Sequence, residues 1–585
     1  MVTKAVQCIG YAAVTVFILG PGAEAAVYSG GAGIEPNPYR IGNTADWSTL
    51  AYTPGDWDKY FILITDIDFG GADVTPVGTH DQPFIGGFNG DGHVVRNGHI
   101  EWPEVSYIGL FCVLGEGGTI HDLGVEALEV AGYAHVGGLV GENDGGEITS
   151  CHFTGAVSGN SVDVGGLAGT NMDGTITSCY AAGTVAGLSS TLVYSSFGGL
   201  VGMNDGGEIS SCHAETVFSG PLSKLGGLVG TCWEGAITSC RASGTFSEGR
   251  YYVGGLVGSC FSSTIQFCHA TGPVGGGDAV GGLLGESMGD TVTFCYATGA
   301  VSAEIGDAGG LIGAVSGCTV ISCYAAGDVT GKHIAGGLIG HTSANAAVVS
   351  CYARGAVSGT DSVGGLVGLL NYTLASNCYA EGTVTADHYA GGLVGIADIN
   401  AEVNKCYARG AVTGGYSLGG LVGHLKSGTV WYSYATGAVS GDTDTGGLVG
   451  TSYDTVNYSY WDKTTSGHDV SAGGEGRTTA EMTYPHSPDT YVVWDFTTVW
   501  AADTAHTIND GYPYLIQNIP PTPHPADLNV DFHVVMSEAI AYLTGWQQGS
   551  NPMAYAIRAA YLWQNGEAYV YSGDSDPPLC WRLAP

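Results

Sequence analysis

Five residues near the C-terminus have the types and the spacing of calcium ligands. They are Asp527, Asn529, Asp531, His533 and Glu538. A calcium loop of about twelve residues uses oxygen ligands at its first, third and fifth positions, a backbone carbonyl at the seventh and a bidentate Glu at the twelfth. The sixth position, where a sharp turn favours glycine, holds Phe532. The pattern predicts a Ca²⁺ site, and the alternative is a decayed loop that keeps only a helical shape.

A second set of residues recurs along the middle of the chain, each directly after a regularly spaced Cys or Ser. The set, here called the tyrosine column, is His152, Tyr180, His213, Arg241, His269, Tyr296, Tyr324, Tyr352, Tyr379, Tyr407, Tyr434 and Tyr460. If the Cys side chain points inward, strand alternation points the next residue outward. Exposed rings stack on sugars, so we take Tyr296, Tyr324, Tyr352, Tyr379 and Tyr407 as a candidate ligand-stacking face. The alternative is that the rings stack on one another and set the register of the chain.

The middle of the chain has no pattern typical of a catalytic centre. Its acidic residues are scattered, and no pair recurs at a spacing that would place two carboxylates for glycosidic acid–base chemistry. Residues 285–289 (GESMG) and 415–419 (GYSLG) match GxSxG, but neither lies at a strand-to-helix turn. We therefore expect a protein that is not an enzyme, with a carbohydrate-active enzyme (a polysaccharide lyase or hydrolase) as the alternative.

A repeat positions these candidates. The phrase Gly-Gly-Leu-Val-Gly, or a close variant, occurs twelve times, and its first glycines are 27 or 28 residues apart except for one interval of 33. Those glycines are Gly137, Gly165, Gly198, Gly226, Gly254, Gly281, Gly309, Gly336, Gly364, Gly391, Gly419 and Gly446. Thr, Val, Ile and Tyr between frequent glycines favour short strands over helices. The period predicts an all-β fold, a parallel β-helix of about 12–13 coils with ~28 residues and three strands per coil.

The interior of this β-helix is predicted from the residues that recur once per coil. The leucine of each repeat phrase, such as Leu139 or Leu167, is expected to form an apolar column. Ten cysteines also recur once per coil, and Ser433 and Ser459 take their place in the last two repeats. Free Cys behaves as a small hydrophobe, so a buried and mostly reduced ladder is expected. If any bridge forms, the expected pair is Cys232 and Cys260, which lie one coil apart.

The repeat resembles the GLUG motif family, which occurs in secreted and surface proteins of bacteria. The resemblance rests on the GGLVG phrase, the period and the phrase CYAxG, and it covers roughly residues 27–462. It implies a β-solenoid in an extracellular protein, as in adhesins and some large proteases, and it implies no activity of the repeat itself. The tail resembles the first half of a dockerin, a calcium-binding module, which implies a protein partner for it.

The remaining segments complete the predicted domain organisation. Residues 1–25 read as a signal peptide, 26–136 as an N-terminal cap with the first coils, and 137–462 as the solenoid. Residues 463–516 read as a C-terminal cap built on Trp494, Phe496 and Trp500, 517–526 as a proline-rich linker, and 527–585 as a small α-helical, dockerin-like module. A helix is expected to start at Asn43, and residues 60–69 are expected to form one strand. The location predicted is secreted or on the cell surface of a bacterium, with no membrane span after signal cleavage.

The charge of the chain restricts its partners. The net charge is −38, from 16 basic and 54 acidic residues, and both nucleic acid and anionic membranes would repel it. The function predicted is adhesion or contact with a polysaccharide or surface glycan, with the tail as a tether. A further alternative is a self-assembling filament subunit, because open coil edges offer strands to another copy.

Overall fold

The computed structural model describes residues 28–188, 195–220, 222–244, 246–518 and the short segments 539–540, 542–544, 558–561, 569–571 and 581–583. The chain forms two compact units, residues 1–515 and 516–585. The predicted signal peptide, residues 189–194 within the 33-residue interval, and most of the proline-rich linker lie outside the described residues.

In the first unit a succession of short strands returns to the same sheets in each coil, so the predicted parallel β-helix is confirmed. One coil runs through Leu284–Met288, Thr291–Thr293, Tyr296–Ala297, Val301–Ala303 and Ala308–Gly309. Each strand pairs in parallel with the equivalent strand of the next coil. The stacked strands make four sheets, here named A to D, and the chain visits them in the order B, A, C, D.

Each coil has more strands than the three predicted. One reason is that residues 175–181 (TITSCYA), and the equivalent residues of other coils, bend just before the cysteine and so belong to two strands. Ser178 has φ 55°, in the left-handed region, and the same bend recurs at Ser150, Ser239 and Ser322. The bend separates sheet A from sheet C. A backbone turn of this kind does not change the hydrophobic pattern, so the repeat pattern predicted one strand where the structure has two.

Sheet A has 16 strands. They are Tyr39–Ile41, Tyr60–Leu63, Gly87–Asn89, Thr119–His121, Glu147–Thr149, Thr175–Thr177, Glu208–Ser210, Ala236–Thr238, Thr264–Gln266, Thr291–Thr293, Thr319–Ile321, Ala347–Val349, Leu374–Ser376, Ala401–Asn404, Gly428–Trp431 and Thr455–Asn457. Sheet B has 13 strands, one per coil, which matches the predicted coil number. They are Phe111–Leu114, Val140–Asp144, Ala168–Met172, Val201–Asp205, Val229–Trp233, Val257–Phe261, Leu284–Met288, Ile312–Ser316, Ile339–Ser343, Val367–Asn371, Val394–Asp398, Val422–Leu425 and Val449–Ser452.

Sheet C has 16 strands and carries the tyrosine column. They are Ile67–Asp73, Val94–Glu101, Gly124–Gly132, His152–Gly159, Tyr180–Gly187, His213–Ser219, Arg241–Ala242, His269–Ala270, Tyr296–Ala297, Tyr324–Ala325, Tyr352–Ala353, Tyr379–Ala380, Tyr407–Ala408, Tyr434–Ala435, Tyr460–Asp462 and Glu475–Arg477. Sheet D consists of two adjacent rows of very short strands, which join where two longer strands, Val384–Gly391 and Val412–Gly419, span both rows. Its other strands are Val136–Gly137, Val164–Gly165, Ser196–Gly198, Lys224–Gly226, Phe246–Gly249, Tyr252–Gly254, Val274–Gly276, Val280–Gly281, Val301–Ala303, Ala308–Gly309, Val329–Gly331, Ala335–Gly336, Val357–Gly359, Val363–Gly364, Val439–Ser440 and Thr443–Gly446.

The core is a set of like side chains stacked in columns. The predicted leucine column is fully buried, as are the central Ile or Val residues of sheet A, such as Ile237 and Val292. The second glycine of each repeat phrase lies where a side chain has no room. A Cβ on Gly337 would come within 2.0 Å of the carbonyl oxygen of Gly365 in the next coil. Glycine is therefore required here so that successive coils can pair at strand distance.

The cysteine ladder lies at the bend between sheets A and C. From Cys151 to Cys351, backbone N–H groups of the ladder donate to the sulfur of the next coil's cysteine at 3.3–3.5 Å. Each thiol in turn donates to the carbonyl two residues earlier, at 3.2 Å for Cys351. None of the 14 cysteines within the described residues forms a disulfide and all 14 are buried; they include Cys232 and Cys260, which pair in register. The ladder thus satisfies backbone groups that a bend leaves without a strand partner.

Both ends of the solenoid are covered by the chain itself. At the N-terminal end the helix Thr44–Ala51, capped by the side chain of Asn43 as predicted, buries Trp47 and Leu50 completely. A 3₁₀ turn, Pro54–Asp56, follows the helix. The strand predicted over residues 60–69 is instead two strands, Tyr60–Leu63 and Ile67–Asp73, because a corner separates sheets A and C there.

The C-terminal cap covers the other end and one flank of the last coils. It contains two short helices, Lys463–Ser466 and Thr479–Met482, and the antiparallel pair Trp500–Ala501 and Tyr514–Leu515. The hydroxyl oxygen of Ser471 accepts hydrogen bonds from the backbone N–H groups of Leu448 (3.2 Å) and Val449 (2.8 Å). These donors would otherwise be unpaired, because no further coil follows the last one.

The second unit is described only in part. It starts with a 3₁₀ turn, Ile516–Asn518, and its described residues at 539–540, 542–544 and 558–561 are helical. The sequence analysis expected an α-helical module, but this unit also contains an antiparallel strand pair, Tyr569–Tyr571 with Trp581–Leu583. Hydrophobic alternation over three residues is too short a signal to predict such a strand.

Candidate functional site

Most of the tyrosine column forms a stack of rings on the outer side of sheet C, which is interrupted at Arg241. From His269 to Tyr434, successive rings are 4.7–5.2 Å apart between centroids, with interplanar angles of at most 8°. The residue after each ring, such as Ala297 or Ala353, is buried in the core, so the predicted alternation is present. Each ring therefore shows both of its faces to other rings of the column.

The C-terminal cap packs over the last part of this column. Its side chains Met482, Tyr491, Trp494, Trp500, Tyr512 and Leu515 form one buried cluster with Tyr352, Tyr379, Tyr407, Tyr434 and Tyr460. The expectation that the column is an exposed face is therefore wrong for Tyr352, Tyr379 and Tyr407, and Tyr296 is also only 8% exposed. Tyr324 is half-buried. The geometry favours the alternative in which the rings stack on one another.

Burial also sets the chemistry of the column. Loss of solvent raises the pKa of Tyr352 to about 12, and it raises the pKa values of Tyr379 and Tyr407 as well. Arg354 lies 4.9 Å from the Tyr352 ring and pairs with Glu381 at 3.2 Å. The phenols therefore stay protonated at physiological pH, and the hydroxyl of Tyr379 accepts a 3.5 Å hydrogen bond from Arg354.

The five predicted calcium ligands, Asp527, Asn529, Asp531, His533 and Glu538, lie outside the described residues. Within the described ranges, no group of three or more His, Cys, Asp and Glu side chains is placed to hold a metal ion. The Ca²⁺ site therefore stays a prediction from the sequence.

A set of charged residues that the sequence analysis missed lies where sheet D meets sheet B. We name His135, Glu142, Asp163, Lys224 and Glu286 the charged seam. The contacts at this corner follow one pattern. A side chain that lies two residues before a repeat phrase contacts a side chain on the outer face of the sheet B strand in the next coil. In this way His135 Nδ1 lies 2.8 Å from the Thr170 hydroxyl, and the Ser196 hydroxyl lies 2.9 Å from that of Thr231.

The seam holds its charges in partly buried positions. His135 Nδ1 lies 3.4 Å from Asp163 Oδ2, and its ring stacks on Tyr107 at 4.6 Å. Burial raises the pKa of Asp163 to about 6, although a hydrogen bond from Ser196 and the charge of Lys224 oppose the change. Burial also lowers the pKa of His135, so at neutral pH a neutral imidazole faces the carboxylate.

The carboxyl groups of Glu142 and Glu286 in the seam also have raised pKa values. Burial raises the pKa of Glu142, and it raises the pKa of Glu286, which accepts a 3.0 Å hydrogen bond from Ser259. Burial lowers the pKa of Lys224, whose ammonium lies 5.3 Å from the centroid of the Phe261 ring. Carboxyl groups with raised pKa values are able to donate a proton near neutral pH.

The seam was missed because its partners are far apart in the sequence. A pattern within one strand does not show this site, because His135 lies one coil from Asp163 and one coil plus one corner from Thr170. A separation of 34–35 residues is the sequence signal for the second kind of contact, and it also relates Ser196 to Thr231 and Ser417 to Thr451.

Comparison with known proteins identifies the repeat. Residues 132–158, 160–186 and 359–385 match the family model for the GLUG motif. The chain therefore contains GLUG motif repeats, as the resemblance implied, arranged as coils of a β-solenoid.

Two relatives share part of the sequence. Over 132 residues (21% of this chain and 15% of the relative) it is 34% identical to a protein of Evansella cellulosilytica described as a Gly-rich membrane protein. Over 158 residues (25% of this chain and 2% of the relative) it is 31% identical to Halomucin of Haloquadratum walsbyi. The chain thus spans a small part of each relative. Among the described residues, no helix has the length and hydrophobicity to cross a membrane.

One solved structure aligns over most of the chain. It is a Bacteroides ovatus protein described as an immunoglobulin A1 protease, and the alignment covers 84% of this chain and 95% of that chain. The sequence identity is 15% and the TM-score is 0.26.

Proposed function

We propose that this protein is a non-catalytic extracellular β-solenoid of a bacterial surface or matrix, which contacts carbohydrate through its lateral faces. The observation that carries the proposal is the closure of both solenoid ends, by the helix Thr44–Ala51 and by the cap that follows Asp462. Covered ends leave the lateral faces of the solenoid as its main surface for partners. The similarity to a Gly-rich membrane protein and to Halomucin supports a surface location.

Two measurements on the full chain test this proposal. The first is binding to a glycan array and to insoluble cell-wall polysaccharide, with an assay for new reducing ends in the same samples. We expect binding without release of reducing ends. Absence of binding to every glycan would overturn carbohydrate contact. The second is sedimentation velocity, where we expect a monomer; end-to-end polymers would favour the filament alternative over the closed solenoid.

The tail adds a tethering role to the proposal. The residues Asp527, Asn529, Asp531, His533 and Glu538 would hold Ca²⁺, and the module would bind a protein partner of the cell surface. Calorimetric titration of the full chain with Ca²⁺ should give heat that is lost in Asp531→Ala. Equal heats for the two proteins would remove the loop from the proposal.

The charged seam favours a second candidate, a carbohydrate-active enzyme. The raised pKa of Asp163 and the raised pKa of Glu142 fit a general acid. In that case the full chain would release reducing ends from a polysaccharide, and both Asp163→Asn and Glu142→Gln would abolish the release. Wild-type protein that binds glycans and releases no ends from them would remove this candidate.

A further inference from the structure

We propose that the outer face of sheet A in its last three coils binds an uncharged polysaccharide, with Trp431 as the stacking platform. The proposal rests on the proposed carbohydrate contact and names its site. The tyrosine column is covered by its own neighbours and by the cap, whereas on this face Trp431 and Tyr432 are half-buried and Tyr458 is exposed. We name the surface formed by Asn404, Trp431, Tyr432, Asn457 and Tyr458 the Trp431 platform.

The platform is built by three consecutive strands of sheet A. The register aligns Asn404 with Trp431 and Trp431 with Asn457, so an indole ring lies between two amides. Strand alternation sends Val403 and Val430 into the core, where both are fully buried, and leaves the three aligned side chains on the outer face. Planar rings flanked by amides provide a stacking surface and directional hydrogen bonds for a sugar.

Two tyrosines extend the platform at the corner toward sheet C. Tyr432 and Tyr458 stack on each other at 5.5 Å with an interplanar angle of 6°, and their rings lie 5.9 and 6.1 Å from that of Trp431. Tyr458 is 47% exposed. Its backbone carbonyl accepts a 2.9 Å hydrogen bond from the Trp494 indole, so the cap holds the corner in place while the ring stays open.

The conformation of these two tyrosines is unfavourable for their residue type. Tyr432 has φ 48° and Tyr458 has φ 47°, in the left-handed region, where Ser150, Ser178 and Ser239 stand in earlier coils. Bulky residues in this region are uncommon and strained. The exposed ring of Tyr458 gains little from packing that would offset this strain, which fits a residue placed for contact with a ligand.

The polar rim of the platform has an acceptor without a donor. The Oδ1 atom of Asn404 is buried and has no hydrogen-bond partner, whereas its Nδ2 donates to Glu402 at 2.9 Å. A sugar hydroxyl that reached this oxygen on binding would supply the missing donor.

Charge selects the kind of glycan. The charged residues beside the platform, Glu402 and Lys405, have opposite signs, and the chain as a whole has a net charge of −38. A polyanion would be repelled by this field, so an uncharged polysaccharide is the partner that fits.

Affinity electrophoresis of the full chain tests the assignment. The gels contain hydroxyethylcellulose, galactomannan or mixed-linkage glucan, and a fourth gel contains anionic polygalacturonate. We expect retardation in at least one neutral gel, and we expect Trp431→Ala and Tyr458→Ala to weaken it about tenfold each. Asn404→Ala should weaken it less, and Trp431→Phe should retain part of the affinity. Trp233→Ala is the matched control, because Trp233 is 45% exposed and lies at the end of a sheet B strand, whereas the platform lies on sheet A.

The outcomes separate the site from the function. Undiminished retardation of both Trp431→Ala and Tyr458→Ala would overturn the platform and leave carbohydrate contact standing. Wild-type protein that is retarded in no neutral gel would overturn both. Retardation only by polygalacturonate would overturn the uncharged ligand, and dimerisation of the wild type that Trp431→Ala abolishes would assign the face to a second copy. Circular dichroism confirms folding of each variant, and the exposed Tyr458 provides the test if Trp431→Ala fails to fold.

Discussion

The hydroxyl of Tyr434 donates a 2.6 Å hydrogen bond to the carbonyl oxygen of Pro513, although the two residues are 79 positions apart. Asn509 Nδ2 lies 2.6 Å from the same hydroxyl and 2.7 Å from the same carbonyl. All of these groups are buried. The contact joins the C-terminal cap to the tyrosine column, and it explains why the end of that column is a packing surface.

Removal of this hydroxyl should loosen the cap. Tyr434→Phe leaves a buried acceptor and a buried donor with fewer partners, and we expect a loss of about 1–3 kcal/mol. Thermal denaturation should show a lower midpoint, and limited proteolysis should cut faster between residues 463 and 515. Tyr453→Phe is the control, because Tyr453 is 75% exposed. An unchanged proteolysis rate for Tyr434→Phe would show that the hydrogen bond does not hold the cap.

The cysteine ladder should tolerate serine better than alanine. The sulfur of Cys351 accepts the backbone N–H of Cys323 at 3.4 Å, and serine already plays this role where Ser433 accepts from Cys406 at 3.0 Å. We expect Cys351→Ala to lose about 1–3 kcal/mol because it leaves a buried N–H without an acceptor, and Cys351→Ser to lose less. Denaturation midpoints of the two variants measure the difference. The reverse order would mean that the sulfur contributes by packing alone.

The same ladder should be inert to thiol reagents in the folded protein. The ladder cysteines are all buried, so a reagent cannot reach their sulfur atoms in the folded protein, and burial also raises the pKa values of Cys295 and Cys323, which disfavours the reactive thiolate there. We expect slow alkylation at neutral pH and rapid labelling after denaturation without a reductant, with intact mass as the readout. Thiols that stay unlabelled in the denatured protein would demonstrate disulfides, and peptide mapping would then show whether Cys232 and Cys260 form one.

The second glycine of the repeat phrase should not accept a side chain. Gly337→Ala places a methyl group 2.0 Å from a backbone carbonyl oxygen, which moves only if two coils separate. We expect a loss of more than about 3 kcal/mol, seen as a lower denaturation midpoint. Gly55→Ala is the matched control, since a Cβ at Gly55 meets no atom within 4 Å. Equal midpoints for the two variants would contradict the close approach of the coils.

Stability should depend on pH through Asp163. Its pKa rises to about 6 in the folded protein from 3.8, so between about pH 4 and pH 6 the folded state binds the proton more tightly than the unfolded state. The contribution of Asp163 to stability is therefore largest below pH 4 and falls as the pH rises to about 6. We expect Asp163→Asn to be more stable than the wild type by about 2–3 kcal/mol at pH 8 and equal to it at pH 4.

Denaturation at pH 4, 6 and 8 measures this difference. The exposed residue Asp173 provides the control, and Asp173→Asn should follow the wild type at each pH. A wild type that is more stable than Asp163→Asn at pH 8 would mean that the attraction of Lys224 exceeds the desolvation of the carboxylate.

The sequence by itself determined the solenoid. Strict recurrence of glycine, leucine and cysteine forces like residues into columns, because each coil buries its apolar side chains only by stacking on the next. That recurrence predicted the number of coils, the buried leucine and cysteine columns and the alternation of Cys with Tyr, while a local start signal at Asn43 predicted the helix that follows it.

Only the tertiary structure decided which surfaces are open. The cap covers Tyr407 because residues 463–515 fold back along the flank of the last coils, a contact between distant segments that no local pattern records. The charged seam and the Trp431 platform also depend on which corners meet across coils. A repeat period determines which residues stack above and below a given residue in its own column. The path of the chain around each corner determines which other columns that residue contacts. This path depends on left-handed backbone turns, which residue type does not specify.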